Sequence, residues 1–127
     1  MKLSEIQRIL AAEVLADAGK MDKEIEMAFS ADMISDILLM CREQTLLLTG
    51  MAHLQVIKTA EICDLAAVVF VRGKRPEREV IELAEQKGIP VLLSKLTLYE
   101  SSGLLFRAGL PGISLSEEPH GRVYGER

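Results

Sequence analysis

The sequence predicts an α/β fold, a mostly parallel sheet with a βαβαβα core flanked by helices. Three observations carry that expectation. Short apolar runs recur at residues 45–49, 66–71 and 89–93. Each leads through a few small or basic residues into a segment with helical periodicity. Every connection holds enough chain for a full helix, so each strand can restart in the same direction, whereas antiparallel neighbours need only a tight hairpin. Ligands of such sheets usually sit at the carboxyl ends of the strands. Here those ends are Thr49-Gly50, Val71-Arg72-Gly73-Lys74-Arg75 and Ser94-Lys95-Leu96-Thr97.

From the amino terminus, Ser4 to Gln7 has the spacing of a capping box, and Ile6, Ile9 and Leu10 supply the apolar face of a short helix. Glu13-Val14-Leu15 reads as a brief strand and Asp17 to Lys20 as a turn. Residues 24–29 alternate, with Ile25, Met27 and Phe29 on one side, as in a half-buried strand at an edge of the sheet or beside its end. Ser30 or Asp32 would cap the next helix, whose apolar face is Met33, Ile34, Ile37, Leu38 and Cys41. Asp32, Ser35 and Asp36 gather at its start. Carboxylates there complement the helix dipole or, as a secondary polar cluster, face a ligand.

Thr45 to Thr49 is nearly all apolar and is expected to be buried on both faces, as a central parallel strand would be. Gly50 lets the chain turn closely into a helix carrying Leu54, Val56, Ile57, Ala60 and Cys63, with His53 in its first turn. Unpaired amides at a helix start beside a strand end form an anion site, and His53 could add a donor. Residues 66–71, AAVVFV, are the clearest strand. Arg72-Gly73-Lys74-Arg75 then places three cations on a glycine-bearing loop of an otherwise acidic protein. Phosphate or carboxylate binding is the functional reading of that loop, and solvated surface charge is the structural one. Pro76 suits a first helical position, Val80, Ile81, Leu83 and Ala84 its core face, and Gly88 a left-handed cap. Pro90 starts the third parallel strand. Thr97 to Glu100 forms a second capping box before a helix with Leu98, Leu104, Leu105 and Ala108 inward. Residues 1–110 are thus expected to form one α/β domain, and 111–127 a flexible tail outside the core.

Composition narrows the function. The chain has 127 residues, 49% hydrophobic and 27% charged, with a net charge of −4, and this describes an ordinary globular domain. An acidic balance with no tryptophan and 4% aromatics argues against nucleic acid as a partner. No run approaches the ~20 apolar residues of a membrane span, and MKLSEIQRIL lacks a signal-peptide core, so a cytoplasmic protein is expected. Cys41 and Cys63 fall in helical patterns without metal-ligand spacing and read as buried thiols of a reducing compartment. With two widely spaced histidines, no metal site is expected, and nothing calls for a cofactor. Gly73-Lys74 fails as a P-loop, because GxxxxGK[ST] needs glycine at 68 and serine or threonine at 75, where Val68 and Arg75 stand. No GxSxG or HExxH occurs, and no catalytic residues are expected.

The ordered series FSADMISDILL, TLLLTGMAHLQVIKTAEICDLAAVVFVRGKRPEREVIELAEQKGIPVLLSKLTLYESSGLL resembles the DRTGG domain. In its short stand-alone form that domain is similar to the amino-terminal domain of HPr kinase/phosphorylase. The likeness spans about residues 1–110: the Asp32, Ser35, Asp36 turn, Thr49-Gly50, the basic loop before Pro76, Gly88-Ile89-Pro90 and the Thr97-headed helix. The Asp-Arg-Thr-Gly-Gly string itself is absent, with Thr49-Gly50 and Gly73-Lys74-Arg75 its nearest remnants. The resemblance implies a regulatory or ligand-sensing module that in multidomain relatives accompanies CBS domains in adenine-nucleotide regulation, often with dimerisation. Stand-alone members are similar to proteins encoded near iron hydrogenase and two-component genes.

The expectation is therefore a non-catalytic, homodimeric module that binds an adenine nucleotide or other small anionic metabolite at the strand ends. Thr49, Gly50 and His53 would form one wall, Arg72, Gly73, Lys74 and Arg75 the cationic wall, and Ser94 and Thr97 would supply hydroxyl contacts. The alternative is a dimerisation or interaction domain of a signalling or hydrogenase-associated system, with a signalling protein as partner and no ligand.

Overall fold

The computed structural model describes residues 1–114. In chain order the elements are α1 (Leu3–Leu10), β1 (Glu13–Ala16), β2 (Met27–Ser30), α2 (Ile34–Leu39), β3 (Thr45–Thr49), α3 (Leu54–Ile62), β4 (Ala67–Phe70), α4 (Arg78–Lys87), β5 (Val91–Leu93) and α5 (Leu98–Arg107). The strands form one sheet in the order β1-β5-β4-β3-β2. β2 to β5 run parallel, in registers such as Leu47↔Val68 and Val69↔Leu92, and β1 pairs antiparallel with β5 through Val14↔Leu92. This is the expected mostly parallel α/β architecture, with β2 added at one edge and β1 at the other.

The apolar runs are continuous because the sheet is covered twice. Leu47, Val68, Phe70, Val91 and Leu93 face α2, α3 and α4, where Ile37, Val56, Ile57, Ala60, Val80 and Ala84 pack on them. Leu46, Leu48, Val69, Val71 and Leu92 face the other way, toward Leu3, Ile6 and Leu10 of α1 and Leu105 of α5. A strand exposed to core on both faces has no polar positions to spare, so the period-2 signal vanishes. Phe70 is 1% exposed, and truncating it to alanine would cost about 3–5 kcal/mol.

Several local expectations are corrected. α1 begins at Leu3, because the Leu3 and Ser4 amides donate to Lys23 and Met21 carbonyls at 3.0 and 2.9 Å. Glu5 Oε1 accepts from the Lys2 amide, while Gln7 turns to the Ala12 carbonyl at the far end. Ile25 does not share a side with Met27 and Phe29: it precedes β2 and packs with α1, whereas Phe29 packs with α2 to α4. Neither Ser30 nor Asp32 caps α2, whose N-cap is Met33, and only Ile37 of that helix is buried. Pro76 lies before the α4 N-cap, Glu77, rather than at its first turn. Ala108 is exposed, and Ser101 takes its place on the buried face of α5.

The cysteines are not free thiols. Cys41 follows α2 and Cys63 caps the end of α3, so the two packed helices bring them together as a disulfide with Cα atoms 5.2 Å apart. The core also continues past Leu110. Ile113 is 8% exposed in the α2–α4 cluster, and the Ala28 amide donates to the Pro111 carbonyl at 2.9 Å, which covers part of the β2 edge. The remainder of the expected tail, 115–127, lies outside the described residues.

Candidate functional site

Because β2 to β5 are parallel, their carboxyl ends open on one rim. The loops after β4 and β5 are clamped together there: the Arg72 amide donates to the Leu96 carbonyl and the Gly73 amide to the Ser94 carbonyl, both at 2.8 Å. Arg72 and Gly73 both have φ of +63°. Glycine adopts that region readily, but for arginine it costs roughly 1–2 kcal/mol, which the two clamping bonds offset. The resulting turn sends the Arg72 side chain back across the end of β3. Its Nη2 lies 3.1 Å from the position a Cβ on Gly50 would occupy.

Gly50 is a convergence point. Asp32 Oδ1 accepts from the Gly50 amide at 2.7 Å and from Thr49 Oγ1 at 3.1 Å, and Thr49 Oγ1 in turn accepts from the Met51 amide at 3.1 Å. The carboxylate assigned by sequence to a helix start thus belongs to the rim. Ser35 and Asp36 do not join it. Both are exposed on α2, where Asp36 helps line a separate cavity with Ser30, Ala31, Leu39 and Met40. His53 is the exposed N-cap of α3, one turn of chain from Gly50, and its side chain makes no capping bond.

The hydroxyls expected to contact a ligand are already committed. Ser94 is fully buried, its Oγ 3.0 Å from Ser101 Oγ and accepting from the Leu96 amide. Thr97 Oγ1 accepts from the Glu100 amide at 3.1 Å and donates to Glu100 Oε1, which completes the expected capping box. These groups shape the rim from within.

The four cations near the rim also differ. Arg75 holds both oxygens of Glu13 at 2.6 Å, tying the basic loop to the first residue of β1. The hydrogen bond to Glu13, and secondarily its charge, raises the Arg75 pKa further above its ordinary value. By contrast, Arg72, Lys74 and Lys95 have no ion-pair partner among the described residues. Lys95 was not singled out by sequence, although it lies in a strand-end segment. It stands against the turn, its Cγ 3.9 Å from where a Gly73 Cβ would be. Glu13 could not have been found, since the sequence does not say which strand β1 joins.

Chemically, the rim carries three cations without an ion-pair partner among the described residues, of which Arg72 lies beside Gly50, whose amide already donates to the Asp32 carboxylate. Such a grouping offers positive charge to an anion. Among the described residues no group of three or more His, Cys, Asp or Glu side chains is placed to hold a metal ion, and no helix is long and apolar enough to cross a membrane.

The family model of the DRTGG domain matches residues 5–108. Among solved structures, the chain is similar to the CBS and DRTGG domains of the regulatory region of Clostridium perfringens pyrophosphatase, crystallised with its activator, diadenosine tetraphosphate. The TM-score is 0.72 at 19% identity, over 82% of this chain and 45% of that one, so the likeness is one of fold. The chain therefore spans less than half the length of that structure. No curated protein matches it.

Proposed function

The chain belongs to the DRTGG domain family, and from that premise we propose that it is a non-catalytic, homodimeric regulatory module that senses a phosphate-bearing nucleotide or similar small anion at the strand-end rim. The observation that carries this reading is the Arg72 side chain, brought by its turn beside Gly50 at the end of β3 without an acidic partner among the described residues. Four other non-glycine residues, Ala11, Ala18, Gln44 and Asp64, share that backbone region, so what sets Arg72 apart is the free charge its turn delivers to the end of β3. Lys74 and Lys95 add charge around the same turn, and His53 adds a donor at the start of α3. The adenine nucleotide bound by the pyrophosphatase regulatory region makes that ligand class the first to try.

Asp32 gives the site a means of exchange. Its carboxylate accepts from the Gly50 amide at 2.7 Å. An incoming phosphate would take over that donor while gaining Arg72, so occupancy becomes a competition between an internal and an external anion. A ligand present at a hundred times its dissociation constant would stabilise the fold by about 2.7 kcal/mol.

The test is thermal denaturation against AMP, ATP, diadenosine tetraphosphate and inorganic phosphate. The melting temperature is expected to rise with at least one nucleotide, and the rise to vanish in Arg72→Ala while the ligand-free melting temperature stays close to wild type. A flat response to the whole panel would overturn the ligand reading. A second reading, an interaction domain without ligand, is favoured by the Arg75–Glu13 pair, which withdraws one cation from the rim. Under that reading the flat response would accompany a stable dimer.

A further inference from the structure

The homodimer in the proposed function has no surface assigned to it. We infer that two copies associate through α5, antiparallel, about a two-fold axis that passes by Gly103. This rests on the homodimer reading and adds to it the surface and the pairing of side chains.

Gly103 is the first observation. It lies in the middle of α5, where glycine weakens a helix, and a Cβ there would meet nothing within 4 Å. No contact inside the chain requires it. At 100° per residue, the buried Ser101 and Leu105 lie on the far side of the helix, and Gly103 is at the crest of the outward face. A residue without a side chain at that point lets a second helix approach closely.

The flanks of the crest supply the second observation. Tyr99, 87% exposed, and Phe106, 55% exposed, lie on one side. Glu100 and Arg107, both exposed, lie on the other. In each pair the members stand on opposite sides of Gly103 along the axis, three or four residues away, or about 4.5 and 6 Å. A two-fold axis perpendicular to the helix exchanges the two ends and keeps each flank on its own side. Tyr99 of one copy then meets Phe106 of the other, and Glu100 meets Arg107, with each contact made twice. The surface is self-complementary in shape and in charge, as an isologous interface must be.

Two hollows flank the same crest. One of about 310 Å³ runs from Tyr99 and Phe106 toward Pro111 and the β2 edge, and one of about 400 Å³ lies between Leu96 and Arg107. The first gives the partner's aromatic ring an apolar seat. The charged flank has capacity to pair: Arg107 has no acidic partner among the described residues, and the capping box uses only Oε1 of Glu100.

Sedimentation equilibrium on the full chain tests the assignment. Wild type is expected to dimerise, and Gly103→Leu to weaken dimerisation by at least about tenfold while leaving the monomer folded, since the added side chain meets only open space. Arg107→Glu alone and Glu100→Arg alone should each be monomeric, because each turns both ion pairs into repulsions. An equimolar mixture of the two should form a heterodimer with every pair restored. Should Glu100→Arg fray the start of α5, Gly103→Leu and Arg107→Glu still decide the matter. A monomeric wild type would overturn both this inference and the homodimer reading. A wild-type dimer whose dissociation constant is unmoved by Gly103→Leu and Arg107→Glu would overturn the α5 surface alone. Neither outcome bears on nucleotide binding at the rim.

Discussion

The strand-end rim and the outward face of α5 are opposite solutions to surface exposure. At the rim nearly every polar group is already engaged: Ser94 with Ser101, Thr97 with Glu100, Thr49 and Gly50 with Asp32, Arg75 with Glu13. What remains is charge on Arg72, Lys74 and Lys95. On α5 the outward apolar groups, Tyr99 and Phe106, have no such partners, and the glycine between them makes no contact through a side chain. A rim of satisfied bonds and spare cations suits a small, exchangeable anion. A helix face with matched flanks suits a large, permanent cover. The two regions should therefore respond to different perturbations, and four measurements separate them.

The largest effect is expected from the disulfide. Cys41→Ser with Cys63→Ser opens a loop with a sequence separation of 22 and should lower stability by about 3 kcal/mol, measured by urea denaturation. The bond ties α2, the element after Asp32, to α3, so the change should reach the rim and leave self-association at α5 unaltered. Equal weakening of both would mean that the two regions are coupled.

Next in size is Ser94→Ala, which leaves the buried Ser101 hydroxyl and the Leu96 amide without their partner. It should cost about 2 kcal/mol by the same measurement and lower nucleotide affinity only through the loop it loosens. A stability close to wild type would show that Ser94 is not the internal brace the hydrogen bonds describe.

Asp32→Asn is smaller and has the opposite sign for binding. Asparagine keeps an oxygen for the Gly50 amide but removes the negative charge beside the cations. Phosphate and nucleotide affinity, read by calorimetry, should rise several-fold, by about 1 kcal/mol or less. Weaker binding would make Asp32 a ligand contact rather than a competitor.

The smallest effect is expected of Arg75→Ala. Its guanidinium is about half exposed and occupied by Glu13, so the ligand-induced thermal shift should stay close to wild type, in contrast to Arg72→Ala. A loss equal to that of Arg72→Ala would show that the Glu13 pair opens to admit the ligand.

The sequence made some of this legible for definite reasons. β3, β4 and β5 stood out because strands covered on both faces are nearly all apolar, and the Thr97 box and the Gly88 cap were found because both motifs are local in sequence. What escaped was tertiary. Asp32 has the composition of a helix cap, but the end of β3 offers its carboxylate an amide at 2.7 Å. Cys41 and Cys63 are distant in sequence and meet only because α2 and α3 end side by side. Arg75 read like its neighbours Arg72 and Lys74 until β1 brought Glu13 beside it. Gly103 drew no attention, because helical phase marks it only as outward-facing and nothing local in sequence says what could pack there.

The position of β1 has a consequence for how the molecule is assembled. The first strand of this sheet in chain order pairs with the last, Val14 opposite Leu92. Closing so long a loop is slow relative to joining β2 to β5 step by step through their helices. β1 is therefore expected to stay unpaired until β5 is available to receive it. A chain interrupted before Val91 would leave β1 with nowhere to go, and a fragment that ends there should be captured by chaperones rather than accumulate as a smaller stable unit.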